Sequence, residues 1–203
     1  PAGSLISVGS AARPVQAAAN NRGPRRTARP EGREGMARAV RAEGPLVVGV
    51  DSSTQSAKAL VVDAATGAVL ARGRAPHSVT EGPGRESDPC QWWDALCEAL
   101  RQTGLSQRAS AVSVAGQQHG LVTLGRDGRP VRPALLWNDT RSAPQATALI
   151  EALGGPGVWA RRLGSVPTAS FTVTKWAWLT ANEPEAASAT TAVRLPHDYL
   201  PGR

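Results

Sequence analysis

Three short apolar runs, separated by nothing longer than a turn, restrict this chain most. Residues 46–51 read Leu-Val-Val-Gly-Val-Asp, residues 59–63 Ala-Leu-Val-Val-Asp and residues 68–72 Ala-Val-Leu-Ala-Arg, with Ala-Ala-Thr-Gly at 64–67 between the last two. Runs of this length, rich in Val and Leu and bounded by turn residues, read as buried strands. A parallel neighbour needs a crossover of about a dozen residues, which this spacing does not allow. The three strands are therefore expected to pair as an antiparallel meander.

Downstream, helical and extended patterns alternate. A Gly- and Pro-rich loop at 80–87 leads to Ser87 or Asp88 as a helix cap, with Pro89 in the first turn, where its missing N–H leaves nothing unsatisfied. The helix carries Trp92, Trp93, Leu96, Cys97 and Leu100, and Gly104 stops it. A strand is expected at 109–115, then Gly-Gln-Gln-His-Gly at 116–120, a strand at 121–124, a turn at 125–130 and an extended piece at 133–137. Helices are expected at 144–153, 156–163 and 173–180, and a last strand at 192–195 precedes Pro-His-Asp-Tyr-Leu at 196–200. There is no internal repeat. The two cysteines, Cys90 and Cys97, cannot build a disulfide framework; seven apart in a helix, they are expected to share a face as small buried thiols, which fits a reducing cytoplasm.

With 41% hydrophobic residues in 203, the chain can bury a sizeable core. No run approaches the roughly 18 apolar residues of a membrane-spanning helix. The net charge of +7 is unevenly placed: residues 1–45 carry 8 Arg and 3 Glu, residues 46–203 carry 15 Lys and Arg against 13 Asp and Glu. The body is nearly neutral and has no nucleic-acid recognition motif, so neither a nucleic-acid nor a membrane partner is expected. Residues 1–45 hold no aromatic residue and no sustained period. An Arg-rich presequence and a nucleic-acid-binding arm compete with a disordered basic extension, and the extension is the favoured reading. The only Met, Met36, stands shortly before the first strand, where a natural start would lie.

Four segments can carry chemistry. At 51–58, Asp51, Ser52, Ser53, Thr54, Gln55, Ser56 and Lys58 put an acid at a strand end against a turn of hydroxyls, which suits phosphate oxygens and a water-bridged Mg²⁺ on Asp51. An ordinary polar hairpin turn explains the same composition, and the P-loop pattern is absent. At 116–120, Gln117, Gln118 and His119 offer donors and acceptors without fixed charge, as a polyol requires, and the flanking glycines would let a ligand near the backbone; a structural His is the plainer alternative. No second His or Cys stands at zinc spacing. At 137–141, Trp137, Asn138, Asp139 and Arg141 make either a sugar-edge site or an Asp–Arg pair beside a core Trp. Residues 175–179, Lys-Trp-Ala-Trp-Leu, read as an amphipathic helix with buried tryptophans.

In order, these segments resemble the amino-terminal part of the FGGY family of carbohydrate kinases, related to glycerol kinase, and within it the enzymes acting on xylulose. The resemblance covers roughly residues 46–200 and rests on Val-Gly-Val-Asp-Ser-Ser-Thr-Gln-Ser-x-Lys at 48–58, Asp-Pro with Trp-Trp at 88–93, Gly-Gln-Gln-His-Gly at 116–120, Trp-Asn-Asp-x-Arg at 137–141, Lys-x-x-Trp-Leu at 175–179 and Leu-Pro-His-Asp-Tyr-Leu at 195–200. It implies an α/β fold of actin/hexokinase type: a ribonuclease H-like sheet with flanking helices, here as residues 46–203, the incomplete first domain of a two-domain kinase. It implies ATP and Mg²⁺ as cofactors and a small-molecule sugar as partner, with a homodimer open for the complete enzyme. Asp51 and the turn of Ser52, Ser53, Thr54, Gln55, Ser56 and Lys58 would face the ATP phosphates, with Asp51 also toward the metal. Gln118 and His119 would contact the sugar, and Asn138, Asp139 and Arg141 would line or brace its pocket. The family usually has Met where Gln118 stands and often Gly where Ser52 and Ser53 stand; serine fits there only if φ is negative or mildly strained. The catalytic Asp is expected beyond Arg203, so no catalytic residue is assigned and the piece alone is expected to be inactive. The implied reaction is transfer of phosphate from ATP to D-xylulose. A related kinase for glycerol, gluconate or another ketose, and a non-catalytic sugar- or nucleotide-binding regulator, are the alternatives.

Overall fold

The computed structural model describes residues 42–80, 82 and 84–202, so the reading of the first 41 residues as a disordered extension lies outside the described residues. The meander is present: β1 (Leu46–Ser52) pairs antiparallel with β2 (Ser56–Asp63), which pairs antiparallel with β3 (Val69–Pro76). β2 starts three residues earlier than expected, which shortens the turn after Asp51 to a tight connection, and β3 ends later, at Pro76. Residues before Leu46 are tied to the body: Asp63, which is buried, accepts backbone N–H groups from Glu43, Gly44, Ala65 and Thr66, bonds that hold its carboxyl below the usual range.

Beyond β4 (Glu86–Ser87), α1 (Pro89–Thr103) crosses the sheet and delivers β5 (Ala109–Gly116) parallel to β1. The resulting order is β3-β2-β1-β5, the mixed ribonuclease H-like sheet that the resemblance implied. Asp88 is the cap, its side chain accepting from the Cys90 N–H at 2.9 Å, and Gly104 closes the helix in the left-handed region at φ 62°. Ser87 instead anchors the helix from below, accepting from Trp92 Nε1 at 2.8 Å and donating to the Ser78 carbonyl at 2.7 Å. Cys97 is exposed and Cys90 half-buried, because the α1 stripe facing the sheet runs through Trp92, Ala95, Leu96 and Ala99. The expectation of two buried thiols fails for that reason.

The main core lies between α1 and one sheet face, with Val48, Val50, Ala57, Ala59 and Val61 beneath the helix. The alternation of β1 sends its other residues to the opposite face, which stays open. The rest of the chain is β6 (Val122–Leu124), β7 (Ala134–Leu135), α2 (Ala143–Ala152), α3 (Pro156–Leu163), α4 (Thr172–Asn182), α5 (Pro184–Ala189), β8 (Ala192–Arg194) and α6 (Pro196–Tyr199). β4 pairs with β7 and β6 with β8, both antiparallel. Of the extended piece expected at 133–137 only β7 is a strand. Leu121, Leu135 and Leu179 form a second core under α4, and Trp176 and Trp178 pack against it half-buried.

Helix and sheet approach closely because the contacting residues are small. A Cβ at Gly73 would overlap the Ala99 carbonyl, backbone against backbone. Gly73→Ala is therefore expected to destabilise the protein by about 2–3 kcal/mol, read as a lower urea midpoint at unchanged m-value. An unchanged midpoint would refute this account of the α1–β3 contact.

Candidate active site

The β1–β5 pairing brings two of the predicted segments to one end of the sheet. Ser52 is the register partner of Gly116, so the turn after β1 and the loop after β5 leave side by side, at the carboxyl ends of parallel strands. Open α/β sheets carry their ligands at such ends. Gln117 ties the two: its side chain accepts from Thr54 Oγ1 and donates to the Ser53 carbonyl, both at 3.4 Å.

The turn is not a ring of outward hydroxyls. Ser52 and Ser56 are 4% and 2% exposed, and Ser53 donates to the Ser56 carbonyl at 3.0 Å. Ser52 and Ser53 both keep negative φ, as serine there requires. What faces outward is Asp51, Gln55 and Lys58, with Thr54 half-buried. Lys58 Nζ lies 3.0 Å from Asp51 Oδ2, and both side chains are about half exposed. They border an open groove of about 510 Å³ whose other walls are Gly49, Val50, Leu60, Arg72, Ser113 and Ala115. One exposed carboxylate suits Mg²⁺ only when phosphate oxygens and water supply the remaining donors. Among the described residues no group of three or more His, Cys, Asp or Glu forms a metal site of its own. His77, which sequence reasoning missed, braces the turn from behind: its Nε2 lies 3.0 Å from the Ser53 carbonyl and its backbone N–H donates to the Gln55 carbonyl at 3.0 Å. Burial pushes its imidazole below the ordinary value, against the contacts with the Ser53 and Ser78 backbone.

The loop after β5 corrects the glycine argument. A Cβ at Gly116 would sit 2.9 Å from His197 Cα, and one at Gly120 would sit 2.6 Å from Pro196 Cγ. The close approach is that of α6 from this same chain, whose His197 N–H donates to the Gln117 carbonyl at 3.2 Å. Gln118 and His119 are exposed. Among the described residues His119 alone, glycine apart, has positive φ, 61°, a sparsely populated conformation for a non-glycine residue. Its ring lies flat on Phe171, centroids 4.9 Å apart and planes 4° apart.

Leu121 and Leu135 exchange backbone bonds of 2.8 and 3.1 Å. His119 lies two residues before that pair and Trp137 two after it, so both rings are delivered to the same end. Trp137 is 46% exposed rather than in the core, and its Nε1 donates to Thr54 Oγ1 at 3.4 Å. Asn138 is half-buried, its Oδ1 without a partner among the described residues.

Asp139 and Arg141 brace this surface more than they line it. Asp139 is 2% exposed and accepts from the Arg141 guanidinium and from the Arg85 and Arg141 backbone N–H groups. Burial alone would raise its carboxyl; those bonds outweigh it and hold the group below its ordinary value. Arg141 also reaches Glu86, lies 4.5 Å over the Trp178 ring and has its own pKa raised by Asp139. Arg132 joins Glu86 at 2.7 Å and Glu183 at 2.8 Å. Lys175, fully buried, donates to the carbonyls of Asp139 and Ala169, and burial pushes its ammonium down to about 8. Arg132 and Arg141 thus pair with Glu86, Asp139 and Glu183 in one network, which Lys175 joins through the Asp139 carbonyl. An amphipathic helix would carry Lys175 on its polar face, yet the residue is buried; the signal was its i,i+4 spacing to Leu179, a core residue.

The sign of the Asp139 contribution is fixed by its lowered carboxyl: it is fully present above about pH 4 and is lost as pH falls through the depressed folded value. Asp139→Asn should cost about 3 kcal/mol at pH 7, and the gap to the wild type should narrow in acid unfolding below pH 4. A gap independent of pH would remove Asp139 from the network.

Residues 46–203 match the family model described as FGGY family of carbohydrate kinases, N-terminal domain. Two xylulose kinases, from Streptomyces rubiginosus and Streptomyces coelicolor, are each 74% identical over 163 residues, covering 80% of this chain and 34% of theirs. The crystal structure of xylulose kinase from Bifidobacterium adolescentis superposes with a TM-score of 0.73 at 46% identity, over 78% of this chain and 33% of that one. The chain thus spans about a third of the length of the relatives it matches. With its ribonuclease H-like sheet and the segments gathered at the ends of β1 and β5, this chain belongs to the FGGY family of carbohydrate kinases.

Proposed function

We propose that this chain is the amino-terminal part of an enzyme that transfers the terminal phosphate of ATP to D-xylulose, giving D-xylulose 5-phosphate. One observation carries the reading: a charged pair suited to phosphate, Asp51 and Lys58, and an uncharged polar and aromatic surface suited to a polyol, Gln118, His119 and Trp137, leave the same sheet end, bridged by Gln117. The names of the most similar relatives support xylulose as the sugar.

In phosphoryl transfer the protein positions the two substrates and stabilises the charge on the transferring group. Thr54, Gln55 and Lys58 would hold phosphate oxygens over the open groove, and Asp51 would hold Mg²⁺ through those oxygens and water. The metal supplies charge neutralisation on the phosphates when bound. His119 would donate to a sugar hydroxyl, its ring fixed by Phe171, and Trp137 would pack on the apolar face of the sugar. Asp139 and Arg141 would keep Trp137 and Asn138 in place. None of these residues is assigned the role of accepting the hydroxyl proton. The two unpaired cysteines suit work in the cytoplasm.

The test is ADP release by the full-length enzyme with D-xylulose, glycerol, gluconate or no sugar. Strong dependence on xylulose is expected; preference for another polyol would move the substrate, and no sugar dependence would favour a binding protein. His119→Ala should raise the KM for xylulose about tenfold or more and leave that for ATP within about twofold. Asp51→Asn should lower kcat by about a hundredfold at saturating sugar, and an unchanged kcat would take Asp51 out of the phosphate site.

A further inference from the structure

The first turn of α4 touches both segments that face the sugar. Phe171, its N-cap, stacks on His119. Thr172 Oγ1 donates to the Gly120 carbonyl at 3.1 Å, closing the same loop one residue on. Four residues after Phe171, Lys175 Nζ donates to the Asp139 carbonyl at 3.0 Å and to the Ala169 carbonyl at 2.6 Å. Ser142, at the start of α2, donates to that Ala169 carbonyl at 2.9 Å, which fastens the far end of the 137–141 segment to the residues leading into α4.

Neither attachment is what packing alone would select. A fully buried ammonium is costly, and an apolar side chain of the same length would be cheaper there. A histidine in the left-handed region is also costly, and it persists only where its surroundings hold it. Both costs fall where a ring and an indole are presented to solvent, and one helical turn meets both. We propose that the turn from Phe171 to Lys175 is the positioning element of the sugar half of the site: Phe171 and Thr172 set the His119 ring, and Lys175 sets the segment carrying Trp137 and Asn138. These three residues do not themselves touch the sugar. The inference rests on the sugar-kinase reading above and extends it to residues outside the pocket.

The experiment is steady-state kinetics on the full-length enzyme with Phe171→Leu, Phe171→Tyr, Thr172→Val and Lys175→Met. Phe171→Leu and Lys175→Met should each raise the KM for D-xylulose about tenfold, and Thr172→Val about threefold, with the KM for ATP within about twofold of wild type. Phe171→Tyr keeps an aromatic ring on His119 and should keep the wild-type KM. Because the two attachments serve different loops, the Phe171→Leu and Lys175→Met effects should multiply in the double variant. A role confined to stability predicts the opposite pattern: less active enzyme and a lower Tm, with the xylulose KM unchanged in all variants. That result overturns the inference, as does a parallel rise in both KM values. If Lys175→Met fails to fold, Phe171→Leu and Thr172→Val decide the question by themselves. A wild-type enzyme that phosphorylates no sugar overturns the kinase reading and this inference together; an active wild type with unmoved variant KM values overturns this inference alone.

Discussion

The arrangement depends on the parallel register between β1 and β5, in which Asp51 faces Ala115 and Ser52 faces Gly116. Parallel neighbours end at the same side of a sheet, so the turn after one and the loop after the other must share a crevice. Antiparallel pairing or a shift of a few residues would send Gln117 away from Ser53 and Thr54. On the other side of β1, α1 lies over β2 and β3 closely enough that Gly73 has no room for a side chain. Packing on one face thus determines what the opposite, open face and the strand ends can present.

Around that end the protein concentrates charge where no ligand is needed to neutralise it. Arg132 and Arg141 pair with Glu86, Asp139 and Glu183 across segments from β4 to α5, and Lys175 is bound to the Asp139 carbonyl beside them. Such a network is a poor source of net stability, since desolvation offsets the attraction, but it tolerates few geometries. Its effect is to make the backbone of 136–141 stiff enough to hold an exposed indole. The outward rings of His119 and Trp137 are supported by an aromatic and a polar contact rather than by burial of their own surface.

The fold was legible because its signals are local. The spacing of three apolar runs forced the meander, Asp88 and Gly104 bracketed α1, and the order of short motifs identified the family. Within the site, the outward placement of Asp51, Lys58, Gln118 and His119 agrees with what strand ends and loops do. The burial of the serines did not follow from composition: Ser52 continues the inward alternation of β1, while Ser56 is buried although it has the same parity in β2 as exposed Lys58. Gly116 and Gly120 looked like room for a ligand, yet the space they leave is filled by α6, some eighty residues later in the chain.

What the amino-acid sequence determined by itself was therefore the longer elements, the caps of α1 and the family, because each depends on neighbours within a few residues; β4, α5 and α6 were not legible in it. Tertiary structure alone decided which polar residues face the cleft and which support it. Lys175, Phe171, His77 and Gln117 acquire their roles from contacts 6 to 64 residues distant. The physical reason is that a buried ammonium, a stacked ring or a bridging amide is defined by its partner, and the partner's distance in sequence leaves no periodic trace.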